Sequence, residues 1–211
     1  MIEPIHTPPT IRRIWWRLTR AALVVLGVLG CLIAGCYAWR KHEYPYGISH
    51  ACDKGLYLDL SNYAERHEGN FPTGELTPEA SLSLIHREYG EYAADLLCGK
   101  RLHASETRKI LEGGQLLGPD TCGWNYVEGL RKDDDRRLAL FWDKDGLTHN
   151  GGRIPEGGHI VHFVDGDHPL IPAAKWADFL REQEELWEKL RAEGRTIRMS
   201  DAGRTPAGAK P

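Results

Sequence analysis

The hydrophobic pattern of the chain begins with one long apolar run over residues 21–39, which contains no charged side chain. A helix of this length measures about 28 Å, close to the thickness of the hydrocarbon core of a bilayer. Four arginines precede the run, whereas only Arg40 and Lys41 follow it closely. The sequence therefore predicts a transmembrane helix, with residues 1–20 in the cytoplasm and the long C-terminal part outside the bacterial cytoplasmic (inner) membrane.

The same run has a second interpretation, because Ile33, Ala34, Gly35 and Cys36 resemble the lipobox of bacterial lipoproteins. In that case Cys36 is the lipidated residue and the lipid is the anchor. The residues after Cys36 are bulky and basic, whereas lipoproteins usually begin with small polar residues, so we favour the uncleaved helix. Both interpretations make the lipid bilayer a partner of the chain.

The apolar pattern becomes that of an amphipathic helix after a short linker. Residues 40–50 form the linker, because Pro45 interrupts a helix. Residues 51–67 then place apolar side chains at steps of three and four, with Ser49 as the expected N-cap.

Further helices are predicted before the pattern changes. Thr77 is a favoured N-cap and Pro78 suits the first helical position, so a helix is expected from there to Gly90. Shorter helical segments are expected up to Leu97 and over residues 105–113.

The second half of the outer part has the aromatic and branched composition of strands. The predicted strands are residues 124–130, 137–142, 159–164 and 168–171. Asp165 and Gly166 supply the turn between the last two strands, and a long amphipathic helix follows from residue 174. Helices followed by a short antiparallel sheet predict the α+β class, with helix packed on sheet.

The domain organisation follows from these segments, and the charge balance excludes one class of partner. The chain has 27 Lys and Arg against 30 Asp and Glu, so it lacks the basic excess of a nucleic-acid-binding protein. The expected parts are a cytoplasmic N-terminus, a membrane helix, a linker, a domain, a C-terminal helix and a disordered tail, over residues 1–20, 21–39, 40–50, 51–180, 181–198 and 199–211.

Three segments of the domain carry a resemblance to a known family. Residues 62–72 read NYAERHEGNFP, residues 124–130 read WNYVEGL, and His149 precedes a strand that ends in Phe163-Val-Asp-Gly. In this order the segments resemble bacterial pseudopilin-like proteins with a prepilin-type His-x9-Asp-Gly signature. The resemblance covers residues 51–180 and implies a pilin-like helix on a short sheet. It also implies an interaction or assembly role near type II secretion or pilus-like machinery.

The sequence also departs from that family. It lacks the prepilin leader motif and the Glu at the start of the membrane helix, and Pro45 interrupts a connection that pilins keep helical. The spacing from His149 to Asp165 is longer than in the family. We therefore expect envelope protein partners or self-association rather than incorporation into a pilus.

A cluster of histidines and aspartates is the candidate metal site. The candidate ligands are Asp143, His149, Asp165 and Asp167. Oxygen and imidazole ligands at this density suit calcium or zinc, although strand alternation places His159 and His162 on opposite faces. Turns formed by Asp and Gly, with His149 hydrogen-bonded to the Asp165 turn, explain the same residues. We expect no cofactor, with calcium as the alternative.

The remaining motifs favour a non-enzymatic protein. No serine lies in a Gly-x-Ser-x-Gly elbow, and no local motif supports a catalytic cysteine. In an oxidising compartment Cys98 and Cys122 are expected to form a disulfide, with pairing to Cys52 as the alternative. The sequence thus predicts a membrane-anchored envelope protein. The alternatives are a metal-binding module, with or without catalytic activity, and a lipoprotein of the same fold.

Overall fold

The computed structural model describes residues 9–48 and 51–200 of the chain, with side chains from residue 14 onward. The helices are α1 (Pro9–Glu43), α2 (Asp53–Arg66), α3 (Pro78–Tyr89), α4 (Glu91–Leu97), α5 (Ala104–Glu112) and α6 (Trp176–Ala192). The strands are β1 (Trp124–Glu128), β2 (Ala139–Asp143), β3 (Gly158–Phe163), β4 (Leu170–Pro172) and β5 (Arg198–Met199). The chain divides into two compact units, and the division falls between Glu43 and Tyr44.

The first unit is the single helix α1, which is longer than the predicted apolar segment. Its apolar segment is not buried inside the chain, and Leu23 is 68% exposed. On its N-terminal side the guanidinium of Arg20 lies 4.6 Å from the ring centre of Trp16. Within the described residues, α1 is the one helix long and apolar enough to cross a membrane, a property that signal sequences share. The helix ends at Glu43, just before Pro45, so residues 40–43 of the predicted linker are helical.

The second unit contains an antiparallel sheet of five strands in the order β4-β3-β2-β1-β5. The central strands align Asn125 with Trp142 and Trp142 with Val161. A bulge between Ala139 and Phe141 shifts the register of β2 against β3. The predicted α+β class with a short antiparallel sheet is therefore confirmed.

Adjacent aromatic residues of β2 face opposite sides of the sheet, as strand alternation requires. Phe141 makes an edge-to-face contact with Trp124, with the ring centres 5.4 Å apart. Trp142 instead contacts Trp176 at 5.8 Å and Phe179 at 6.4 Å, both on α6. Helix α6 therefore covers one face of the sheet.

The other face of the sheet packs against the helices that precede it in the chain. The indole N–H of Trp124 donates a 2.7 Å hydrogen bond to the carbonyl of Leu96 in α4. The hydroxyl of Tyr57 in α2 donates to the carbonyl of Val164 at 3.0 Å. The sheet is thus covered by helices on both faces, where the sequence predicted one layer of helix on one layer of sheet.

Helix boundaries agree with the local signals, with two exceptions. The Oγ1 of Thr77 accepts a hydrogen bond from the N–H of Ala80 at 3.2 Å, so the predicted cap of α3 is confirmed. The N-cap of α2 is Cys52, and the predicted cap, Ser49, lies outside the described residues. Helix α6 stops at Ala192, short of the expected residue 198, because the chain turns at Gly194 with φ of +87°.

The C-terminal end of the described chain is a strand that the sequence analysis did not predict. β5 aligns Glu128 with Arg198, and the two side chains form an ion pair at 2.6 Å. The other carboxylate oxygen of Glu128 accepts hydrogen bonds from Thr73, Gly74 and Ser81. One buried carboxylate therefore holds the edge of the sheet to the loop before α3. Residues 201–211 of the expected tail lie outside the described residues.

The predicted disulfide is absent, because Cys98 and Cys122 are free thiols and are not within disulfide distance. The Sγ of Cys98 donates to the carbonyl of Asp95 at 3.2 Å, and that of Cys122 donates to the carbonyl of Trp124 at 3.7 Å. Burial raises the pKa of Cys98 to about 11 and that of Cys122 to about 12. Both therefore behave as small buried apolar side chains.

The backbones beside these cysteines meet at two glycines. A Cβ placed on Gly123 would lie 2.6 Å from the Cα of Gly99. No side chain fits between backbones at that distance, so the contact of α4 with the start of β1 depends on glycine at this position.

We expect Gly123→Ala to destabilise the domain by about 1–3 kcal/mol or more, because the methyl group would force two backbone segments apart. Gly118→Ala is the matched control in the same loop, since the nearest atom to its Cβ would be Thr121 Oγ1 at 3.9 Å. Thermal unfolding of the full chain in detergent measures both. Equal melting temperatures for the two variants would contradict the predicted clash.

Candidate metal centre

A thiol and a carboxylate lie side by side at the N-terminus of α2. Cys52 has extended backbone angles, and its Sγ accepts a hydrogen bond from the N–H of Gly55 at 3.3 Å. Asp53, the first residue of the helix, is 5% exposed, and its Oδ1 accepts from the N–H of Lys54 at 3.0 Å. The two side chains therefore lie at the start of the same helix, each bonded to a backbone N–H of its first turn.

The loop between β2 and β3 brings a histidine to the same place. A bridge between Leu147 and Arg153 closes this loop, and the N–H of Thr148 donates to the carbonyl of Gly152 at 2.8 Å. His149 lies at the tip, with its side chain half exposed.

His149 contacts the carboxylate of α2 directly. Its Nδ1 is hydrogen-bonded to Oδ1 of Asp53 at 2.5 Å, across 96 positions of sequence. The ligand atoms of Cys52, Asp53 and His149 all lie within 4.8 Å of one another. Within residues 9–48 and 51–200 this is the group of side chains that could hold a metal ion.

A second histidine lies behind the carboxylate. His162 on β3 is 1% exposed, and its Nε2 is 3.6 Å from Oδ2 of Asp53. Its ring stacks on Phe141 with the ring centres 4.5 Å apart, and on His168 at 5.2 Å. Among the described residues, neither ring nitrogen of His162 has a hydrogen-bond partner within normal distance.

A buried lysine, Lys100, adds positive charge next to the start of α2. Lys100 is 3% exposed, and its Nζ donates to the carbonyl of Ala51. The backbone N–H of Lys100 donates to Oδ2 of Asp143 at 3.3 Å, and the N–H of Asp145 donates to Oδ1 of Asp143 at 2.9 Å. Lys100 therefore joins the start of α2 to the end of β2.

These surroundings set the ionisation of the site. Burial opposes the charge of Asp53, but contacts with His162 and His149 and the charge of Lys100 outweigh it and lower the pKa of Asp53 below its ordinary value. Burial lowers the pKa of both His162 and Lys100. At neutral pH Asp53 is therefore ionised, and the His162 ring is neutral.

Asp143 is a second buried carboxylate, and its pKa is shifted upward rather than downward. It has no ion-pair partner among the described residues. Removal from water raises the pKa of Asp143 to about 7, although the N–H groups of Asp145 and Lys100 stabilise its charged form. This carboxyl group titrates near neutrality.

The structure separates the four predicted metal ligands. His149 contacts Asp53, whereas Asp143 is buried beside Lys100. Oδ1 of Asp165 accepts from the N–H of Asp167 at 3.0 Å, and Oδ1 of Asp167 accepts from the N–H of the next residue at 2.9 Å. The two aspartates thus stabilise the β3–β4 turn, and they do not belong to the cluster of potential ligands.

The two strand histidines face opposite sides of the sheet, as predicted. The Nδ1 of His159 is 2.8 Å from the carbonyl of Asp143, and its ring lies 4.3 Å from that of Trp176. His162 lies on the other face, next to Asp53. The sequence analysis missed Cys52 and Asp53 as site residues, although a Cys-Asp pair at a predicted helix start was a visible signal.

A cavity of about 560 Å³ borders the cluster on the side of Cys52. Tyr46, Asp95, Lys100 and Arg108 are among the residues that line it. The cluster therefore borders this cavity at Cys52 and solvent at the half-exposed ring of His149.

Comparisons with known proteins do not assign this arrangement to a family. The chain matches no family model, no curated protein and no solved structure.

We expect Asp143→Asn to change how stability depends on pH. Between about pH 4 and pH 7 the folded state keeps the proton of Asp143, whereas the unfolded state releases it, so the stability contributed by this group falls as pH rises. Asparagine does not titrate. The stability of the variant relative to the unmodified protein should therefore increase across this window, by on the order of 3–4 kcal/mol.

The measurement is the difference in melting temperature between the two proteins at a series of pH values. His159, whose pKa burial lowers to about 4, acts in the opposite direction, but it is present in both proteins and cancels in the difference. A difference that does not vary with pH would show that Asp143 titrates normally.

Proposed function

We propose that this protein is a single-pass envelope protein that holds a pseudopilin-like α+β domain outside the cytoplasmic membrane. The observation that carries the proposal is the surface of α1. Its apolar side chains are not covered by the chain itself, and residues 21–39 carry no charge. Exposure of so much apolar surface to water is strongly unfavourable, and a bilayer removes it.

The distribution of charge supports an orientation with the N-terminus in the cytoplasm. Arg17 and Arg20 precede the apolar run, and Arg20 stacks on Trp16 as expected of side chains at a membrane interface. Arg40 and Lys41 form the smaller positive group on the outer side.

Contacts between the segments that resemble pseudopilins support the proposal that the domain is pseudopilin-like. The hydroxyl of Tyr126 donates to the carbonyl of Pro72 at 2.8 Å, and the N–H of Phe71 donates to the carbonyl of Leu130 at 3.3 Å. Phe71 and Pro72, in the loop after α2, therefore pack on β1 and the residues after it, which brings two of the resembling segments together.

The work that we propose for the domain is non-enzymatic: interaction or assembly with envelope proteins or with a second copy, near secretion or pilus-like machinery. Leu76 is an apolar side chain that is 88% exposed beside the start of α3, and a partner would remove it from water. A metal-binding module is the second candidate function, because Cys52, Asp53 and His149 converge.

Membrane orientation can be measured with an impermeant maleimide on spheroplasts. In a Cys52→Ser background, a cysteine at Leu76 should react in intact spheroplasts, whereas one at Thr7 should react only after lysis. Reaction in the opposite order would overturn the orientation.

Cys36→Ser distinguishes the membrane helix from the lipoprotein alternative. The uncleaved helix predicts that the variant keeps its gel mobility and remains in the membrane fraction after carbonate extraction. A change of mobility that depends on lipoprotein signal peptidase would favour lipidation at Cys36 instead.

A photo-cross-linking residue at Leu76 tests the interaction role in native membranes. We expect a discrete adduct with an envelope protein or with a second copy of the chain. Lys109, a polar and exposed position on α5, is the control. The absence of an adduct at Leu76, or equal capture at both positions, would contradict an interface at this surface.

A further inference from the structure

We infer that Cys52, Asp53 and His149 form a binding site for a zinc-class divalent metal ion, with His162 as a positioning residue. The inference does not depend on the proposed tethering role, because it rests on side chains of the domain alone. It also differs from the calcium or zinc site predicted from the sequence, whose ligands were Asp143, His149, Asp165 and Asp167, because the two sites share only His149.

The distances between the ligand atoms are close to those that a metal requires. In a tetrahedral zinc site, metal–ligand distances of about 2.0–2.3 Å place neighbouring ligand atoms about 3.3–3.6 Å apart. Here the three ligand atoms lie within 4.8 Å of one another, and the two atoms of the Asp53–His149 hydrogen bond are 2.5 Å apart. Movements of about 1 Å therefore suffice, and the ring of His149 is half exposed, so solvent rather than packed side chains borders part of it.

The chemistry of the three ligands selects the metal. A thiolate and an imidazole are preferred by zinc and similar transition metals, whereas calcium takes six to eight oxygen ligands. The cluster offers one carboxylate, that of Asp53.

The surroundings of His162 are a second observation, separate from the three ligands, that points to a bound metal. His162 is a buried imidazole with no hydrogen-bond partner among the described residues, and it faces Oδ2 of Asp53 at 3.6 Å. A buried polar group without a partner is unfavourable, so its retention calls for an explanation. Carboxylates that bind metals are held from behind by such donors. His162 would hold Oδ2 while Oδ1 of Asp53 faces His149 and the metal.

Three protein ligands leave a fourth position on the metal for water or a small molecule. A cavity borders Cys52 and the ring of His149 is half exposed, so the cluster is not enclosed by the domain. The site therefore has the ligand count of an open metal centre rather than that of a closed structural one.

The test is metal binding by the purified full chain in detergent micelles. We expect one cobalt(II) ion per chain, with the near-ultraviolet charge-transfer band of a thiolate ligand, and displacement of cobalt by zinc. Zinc affinity is measured by competition with a chromophoric chelator. Cys52→Ser and His149→Ala should each lower zinc affinity by more than about 100-fold, beyond the loss typical of a supporting residue.

Two features keep the variants interpretable. Serine at position 52 retains an oxygen that can cap α2, and His149 lies half exposed in a loop, so both variants should fold. His162→Phe keeps the stack on Phe141 and removes the ring nitrogens, and it should cost roughly 10-fold in zinc affinity.

The matched controls are His67→Ala, at the opposite end of α2, and Cys36→Ser, outside the domain. Both should bind zinc as the unmodified chain does. The inference is overturned if the full chain binds no cobalt. It is also overturned if the charge-transfer band survives Cys52→Ser, or if His67→Ala weakens zinc as much as His149→Ala.

Discussion

One buried carboxylate governs how the start of the domain is put together. Asp53 is 5% exposed, and a carboxylate without compensation would be expensive at that burial. The fold supplies His149 from a loop, His162 from a central strand and the positive charge of Lys100 from the segment after α4. These three residues are distant from Asp53 in sequence. The position of α2 against the sheet and the position of the His149 loop therefore depend on the same ionised group.

Local signals account for the elements that the sequence predicted well. Thr77 followed by Pro78, and Gly90 at the other end, fix α3 through contacts within a few residues. The site could not be found in this way. His149 lies 96 positions from Asp53, and the sequence analysis grouped it with Asp165 because the two are close along the chain. β5 was missed for a related reason, since two residues carry no periodicity and their partner is on β1.

The cysteines of the domain illustrate how burial separates residues that look alike in sequence. Cys98 and Cys122 are buried thiols whose pKa is raised well above the ordinary value, and each donates to a backbone carbonyl. Cys52 is partly exposed and lies at the N-terminus of a helix beside a carboxylate and an imidazole. The sequence suggested a bridge between the first two, whereas the third is the cysteine that lies in the group of potential metal ligands.

The cluster also lies near the start of the second compact unit, which begins at Tyr44. If α1 is held in a bilayer, a pull on the domain travels along the chain and reaches residues 51–53 early. There Nζ of Lys100 donates a hydrogen bond to the carbonyl of Ala51, and His149 and His162 lie on either oxygen of the Asp53 carboxylate. In that case the contacts that compensate the buried charge would also resist a pull along the chain. A metal ion bound by Cys52, Asp53 and His149 would add a cross-link between the start of α2 and a loop far along the chain.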